Sequence, residues 1–205
     1  MLRVHLKTRG RAMQMAVPVG QGAMAALLGV GKDVAEKLAA EAAQGEVCQL
    51  ANDNEPTQAV ISGTKSAIDR AAQLAKAHGV RRFMPLNVSA PFHCALMQPA
   101  QEEVARVLAG LKLSDPQVPV AANVSGTIVT TADGAQTALI EQVTGTVRWV
   151  DCMRALIGAE AEVFVEVGPG KVLCGLLKQI DPAQKSMNVE DAASLEKTLA
   201  ELASA

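Results

Sequence analysis

The chain has 205 residues, enough for one domain or two small ones sharing a core, and its 49% hydrophobic and 20% charged content reads as globular. A net charge of −2 gives no electrostatic footprint for DNA or RNA, and three phenylalanines, one tryptophan and no tyrosine argue against stacking on single strands; no nucleic-acid partner is expected. No apolar run approaches a membrane span and Met1–Lys7 has no signal-peptide core, so no membrane partner is expected either.

The first residues, Met1 to Gln14, carry Arg3, Lys7, Arg9 and Arg11 with some helical character but no N-cap, as at the end of a helix begun earlier. Gly22–Leu28 is a short apolar strand ending at Gly29. Asp33 is expected to cap a helix with Val34, Leu38 and Ala42 on one face, stopped by Gly45. Val47–Asn52 reads as a strand, Asp53-Asn54-Glu55-Pro56 as a turn, and Gln58–Ser62 as the returning strand. Thr64 starts a helix with Ile68, Ala71, Ala72 and Ala75 at helical spacing, and Val80–Leu86 is a last strand. This βαββαβ order is that of a ferredoxin-like unit.

Longer helices between short strands follow. Met97, Ala100, Val104, Val107, Leu108 and Leu111 trace one helix face before Asp115-Pro116. Val118–Asn123 is expected as a strand, 135–143 and 149–158 as helices, 162–167 as a strand, 172–180 as a helix, and a last helix follows Asp191. The alternation suggests part of a parallel α/β sheet, short of strands for a complete doubly wound domain. Expected divisions are 1–21, 22–86 and 87–205.

His93 stands out among the chemistry-bearing residues. It follows Ser89-Ala90-Pro91-Phe92, where a strand-like approach meets a proline and a helical pattern begins. An imidazole presented on so stiff a segment is a candidate general base, with a structural role as the alternative. Cys94 beside it is not expected to form a thiol dyad, because adjacent residues in such a segment point apart. Arg9 reads either as a bidentate clamp for a carboxylate or as a solvated basic helix end. Gly168-Pro169-Gly170-Lys171 fails as a phosphate loop, since Val165 and Val172 stand where glycine and Ser/Thr are needed. It reads as a tight strand-to-helix turn whose helix N-terminus could stabilise an anion. Asn52, Asn54 and Asn123 fall at strand ends or turns. Lys76, His78, Arg81 and Arg82 form a basic cluster, a helix C-terminus effect or a docking patch. Cys48, Cys94, Cys152 and Cys174 lack any C-x-x-C pair, which favours a reducing cytoplasm, packed thiols and no metal.

Taken together, several segments resemble the malonyl-CoA:acyl carrier protein transacylase family of fatty acid synthesis. They are Arg9-Gly10-x-x-Met13-Gln14, Gly22-Ala23-Met24-Ala25-Ala26, Asn52-x-Asn54-x-Pro56-x-Gln58 and Ser89-x-Pro91-Phe92-His93-Cys94-x-Leu96-Met97, then Pro119-Val120-x-x-Asn123-Val124, Gln142-x-x-x-x-Val147-x-Trp149 and Glu166-Val167-Gly168-Pro169-Gly170-Lys171-Val172-Leu173. The resemblance implies a ferredoxin-like subdomain inserted in an α/β-hydrolase-like subdomain. It implies malonyl-CoA as substrate, acyl carrier protein as partner and no cofactor. It also makes His93 the base for a serine and then for the carrier's pantetheine thiol, with Gln142 orienting His93 through its backbone carbonyl. Arg9 would hold the malonyl carboxylate, Asn123 would line the site, and Phe92 looks like the loop variant associated with malonyl rather than branched groups.

The family's serine sits in a G-H-S-x-G elbow, and none of Ser62, Ser66, Ser89, Ser114, Ser125, Ser186, Ser194 or Ser204 has a G-x-S-x-G context. The expectation is therefore a C-terminal two-thirds of such an enzyme that does not acylate itself and exposes apolar surface. The alternative is a non-catalytic remnant that binds acyl carrier protein or a partner subunit.

Overall fold

The computed structural model describes residues 2–203; Met1, Ser204 and Ala205 fall outside it, as do the side chains of residues 2–5, Arg3 among them. The chain is α/β, with a mixed five-stranded sheet. Contacts divide it into two compact units, 1–152 and 153–205.

In the first unit, α1 (Leu2–Met15) leads through a turn closed by Gln21 N–H on the Pro18 carbonyl into β1 (Gly22–Leu28). α2 (Lys32–Ala43), β2 (Cys48–Glu55), β3 (Gln58–Thr64), α3 (Lys65–Leu74) and β4 (Arg82–Pro85) follow. The strand order is β4-β1-β3-β2-β7, antiparallel except where β2 meets the two-residue β7 (Val147–Arg148) in parallel. Period-two alternation gives this sheet two apolar faces. Ala25, Leu27, Ala59 and Ile61 pack under α2 and α3 with Leu38 and Ile68, while Met24, Ala26 and Val60 face the other way against Phe92.

Two local expectations are corrected. Asp33 does not cap α2: the helix begins at Lys32, two residues before the start that an Asp33 cap implies, with Gly31 as N-cap and Asp33 inside the first turn. The strand β2 runs on through Asp53, Asn54 and Glu55, so the hairpin turn narrows to Pro56-Thr57. The Thr64 reading holds, since its hydroxyl accepts the Ala67 N–H at 3.3 Å.

After a 3-10 turn at Ala95–Met97, α4 (Gln98–Ala109) buries Ala100, Val104 and Leu108 with Met13 and Val17 from the α1 side and Val143. The strand expected at 118–123 is only β5 (Val120–Ala122), paired with an unforeseen β6 (Thr127–Val129). α5 (Ala132–Glu141) precedes β7, and α6 (Trp149–Gly158) follows it.

In the second unit, β8 (Val163–Val167) pairs in parallel with β9 (Lys185–Val189), a strand the sequence reading missed. α7 (Val172–Ile180) connects them and α8 (Ala192–Ala203) closes the chain, with the Thr198 hydroxyl on the Asn188 carbonyl.

Candidate active site

His93 is held by a stack of local constraints. Pro91 is fully buried and lies so close over Gly22 that a Cβ at that glycine would overlap its ring. Phe92 bridges two apolar clusters, so its ring anchors the segment in the core. Cys94, also fully buried, donates its thiol to the Pro91 carbonyl at 3.2 Å. The Gln49 side chain accepts the Ala95 N–H at 2.7 Å, fixing the start of the next turn. Between these anchors His93 adopts φ 59, the left-handed region. A histidine there gives up about 1 kcal/mol relative to ordinary backbone, and such strain persists where the surroundings over-determine it.

The ring is oriented by main chain. His93 Nδ1 lies 3.1 Å from the Gln142 carbonyl oxygen. It is also 3.4 Å from Gln142 Nε2, but that amide donates to the Gly145 carbonyl at 2.9 Å. The shorter carbonyl contact selects the tautomer with the proton on Nδ1, which leaves Nε2 as a free base. Burial pushes the His93 pKa below its ordinary 6.5; the Gln142 carbonyl pulls it up, the Arg9 charge pushes it down, and the Gly145 carbonyl again raises it. At neutral pH the ring is neutral and able to take a proton.

Arg9 is half-buried, and its pKa is lowered by that burial. It nonetheless remains a cation. Among the described residues it has no ion-pair partner, an arrangement that favours an incoming carboxylate. The structure thus brings His93, Gln142 and the field of Arg9 together. The Asn123 side-chain oxygen accepts the Cys152 thiol at 3.3 Å and its carbonyl the Arg148 N–H at 2.8 Å.

Other candidates resolve differently. The α7 N-terminus is already served by the chain itself, because the Glu166 carboxylate accepts the Leu173 and Cys174 N–H groups at 3.1 and 2.8 Å. No anion-binding role remains for that turn. In the basic cluster His78 pairs with Glu41 at 2.8 Å, while Lys76, Arg81 and Arg82 are exposed. Cysteine chemistry is disfavoured: burial raises Cys94 and drives Cys48 and Cys152 up to about 11.

A cleft of ≈ 390 Å³ opens beside His93, walled by Thr144, Gly145 and Thr146 on one side and by Glu36 and Gln49 on the other. None of these wall residues was identified from sequence. Their only local signal is a glycine between two threonines, shortly after Gln142.

Comparisons with known proteins place the chain in a family. The family model described as the acyl transferase domain matches residues 3–200. The malonyl CoA-acyl carrier protein transacylase of Bacillus subtilis is 42% identical over 195 residues, covering 93% of this chain and 61% of the relative. The crystal structure of an acyl carrier protein S-malonyltransferase from Vibrio cholerae is 44% identical, with TM-score 0.91, covering 95% of this chain and 64% of its own. A malonyl-transacylase solved in complex with a type II PKS acyl-carrier protein superposes with TM-score 0.93 at 39% identity, covering 97% and 64%. This chain therefore spans a little over three fifths of the length of these relatives. With a family model that runs over nearly its whole length, the chain belongs to the acyl transferase domain family.

Proposed function

We propose that this chain supplies the base and the carboxylate-binding side of a site that moves a malonyl group from malonyl-CoA to the phosphopantetheine thiol of acyl carrier protein, in fatty acid synthesis. The observation that carries this reading is the His93 Nδ1 contact to the Gln142 carbonyl at 3.1 Å, which leaves the other ring nitrogen bare and able to accept a proton. His93 Nε2 takes the proton of a serine hydroxyl as that oxygen attacks the thioester carbonyl. The imidazolium then returns the proton to the departing CoA sulfur, leaving an acyl-serine. The same nitrogen next deprotonates the pantetheine thiol, which attacks the ester, and the imidazolium gives that proton to the departing serine oxygen, regenerating the serine. Arg9 holds the free malonyl carboxylate, and Phe92 and Asn123 shape the surroundings.

Residues 22–86 are read as a ferredoxin-like subdomain, supported by the antiparallel order β4-β1-β3-β2. Residues 1–21 and 87–205 are read as parts of an α/β-hydrolase-like one. A cytoplasmic setting goes with the free cysteines.

The serine of the G-H-S-x-G motif is not among this chain's residues, so the chain alone is inert in this reading. Intact-mass measurement after incubation with malonyl-CoA is expected to show no adduct. Adding a segment that carries the family's G-H-S-x-G serine is expected to restore transfer to acyl carrier protein. In that mixture His93→Ala abolishes transfer, and Arg9→Ala lowers malonyl relative to acetyl transfer about 10- to 100-fold, the worth of one charged hydrogen bond or ion pair. A malonyl adduct on the chain alone overturns its inertness, and unchanged selectivity in Arg9→Ala overturns the clamp.

A further inference from the structure

A carbonyl can fix an imidazole tautomer only if the carbonyl itself does not move. The one that faces His93 belongs to Gln142, at the end of α5, where the chain turns through Val143-Thr144-Gly145-Thr146 before β7. That turn is pinned from three directions. Thr144 Oγ1 donates to Gln101 Oε1 on α4 at 2.5 Å. Thr146 Oγ1 donates to the Leu50 carbonyl of β2 at 2.7 Å. Gly145 N–H reaches back to the Glu141 carbonyl at 2.9 Å, and a Cβ on Gly145 would stand 2.5 Å from Val124 Cγ2 and 2.9 Å from that same carbonyl. Val143, fully buried, fixes the fourth side. The Gly145 carbonyl, held by the Gln142 amide, is the second main-chain oxygen felt by the His93 ring.

We propose that Thr144 and Thr146, with Gln101 as the acceptor on α4, are positioning residues for His93. Their hydroxyls bond to neighbouring elements rather than to the ring. They hold the 142–146 turn so that its carbonyls keep the proton on Nδ1 and Nε2 bare. The two pins run to different elements, α4 and β2, so the turn cannot swing with either element alone. This inference rests on the reading of His93 as the base, and extends it to residues that act on the ring through the turn that carries the Gln142 carbonyl.

The test reads the ring itself, in the whole chain and without any acyl substrate. Ring nitrogens of His93 are observed by 15N NMR above their titration, assigned by the signals lost in His93→Gln. The wild-type chain is expected to show nearly all of the population as the Nδ1–H tautomer. Thr144→Val is expected to turn this into a mixture of both tautomers, and Thr144→Ser, which keeps the hydroxyl, to retain the wild-type signature. Thr146→Val is expected to act in the same direction. Should Thr144→Val unfold, Gln101→Leu breaks the same bond from the α4 side and decides. Wild-type ring shifts in a folded Thr144→Val or Gln101→Leu chain overturn the proposal, as does a Thr144→Ser chain with mixed tautomers. Because turnover is not measured, failure of malonyl transfer in the supplemented assay leaves this result standing on its own.

Discussion

At His93 backbone strain, burial and orientation act on one side chain. The left-handed backbone is tolerated because Pro91, Phe92 and Cys94 are each buried or bonded on either side of it. What this secures is a ring whose charged form is penalised by desolvation, with the proton of the neutral form placed on Nδ1. A pH titration followed by NMR is expected to give His93 a midpoint below 6.5. The linkage has a definite sign. The unfolded chain takes up this proton near 6.5, before the folded chain does, so the contribution of His93 to stability is intact above that pH. It is lost as pH falls from there toward the lower folded value. A midpoint at or above 6.5 contradicts the account of a desolvated base.

Helix starts separate what the sequence tells from what it conceals. Thr64 was legible as the start of a helix because the apolar spacing of Ile68 and Ala71 fixes where α3 begins, and the structure makes it the cap. Asp33 misled, since Lys32 and Asp33 itself join α2 and the capping position moves to Gly31. Thr64→Ala is therefore expected to cost about 1 kcal/mol in denaturant unfolding, the worth of a capping hydroxyl. Asp33→Ala is expected to cost less, about 0.3–0.5 kcal/mol, as a charge in the first turn of a helix and nothing more. Equal losses would mean that Asp33 caps after all. The β1-to-β4 region was readable because short apolar runs and helical spacings are punctuated by Gly29, Gly45, Pro56 and Gly79. β6, β7 and β9 were not, being only two to five residues long, too short for a period to show. The site divides along the same line. His93 announces itself through its neighbours in sequence, and Gln142 came only with the family resemblance. Thr144 meets Gln101 across 43 residues and Thr146 meets Leu50 across 96, pairings that no local pattern encodes.

At the scale of the whole molecule, the unevenly covered apolar surface has a consequence in solution. Parallel strands are ordinarily buried on both faces. β8 and β9 form a pair of only two such strands, and Val167 and Val172 are 79% and 69% exposed. On α8, Leu195, Leu199 and Leu202 are exposed as well, at i, i+4 and i+7, which places them along one helix face. In the first unit Val118 and Val120 leave the short β5–β6 pair with apolar side chains in solvent. Single exposed apolar residues are unremarkable, but strand edges with free backbone groups beside such valines invite pairing between molecules. The isolated chain is accordingly expected to bind 8-anilinonaphthalene-1-sulfonate and to self-associate as its concentration rises, read by light scattering. Val167→Lys combined with Leu199→Glu is expected to lower both signals while leaving the His93 ring shifts unchanged, because both substitutions fall in the unit that does not contain His93. A chain that stays monomeric and dye-silent at every concentration would show that these valines and leucines are individually tolerated and that the short parallel pair is no liability.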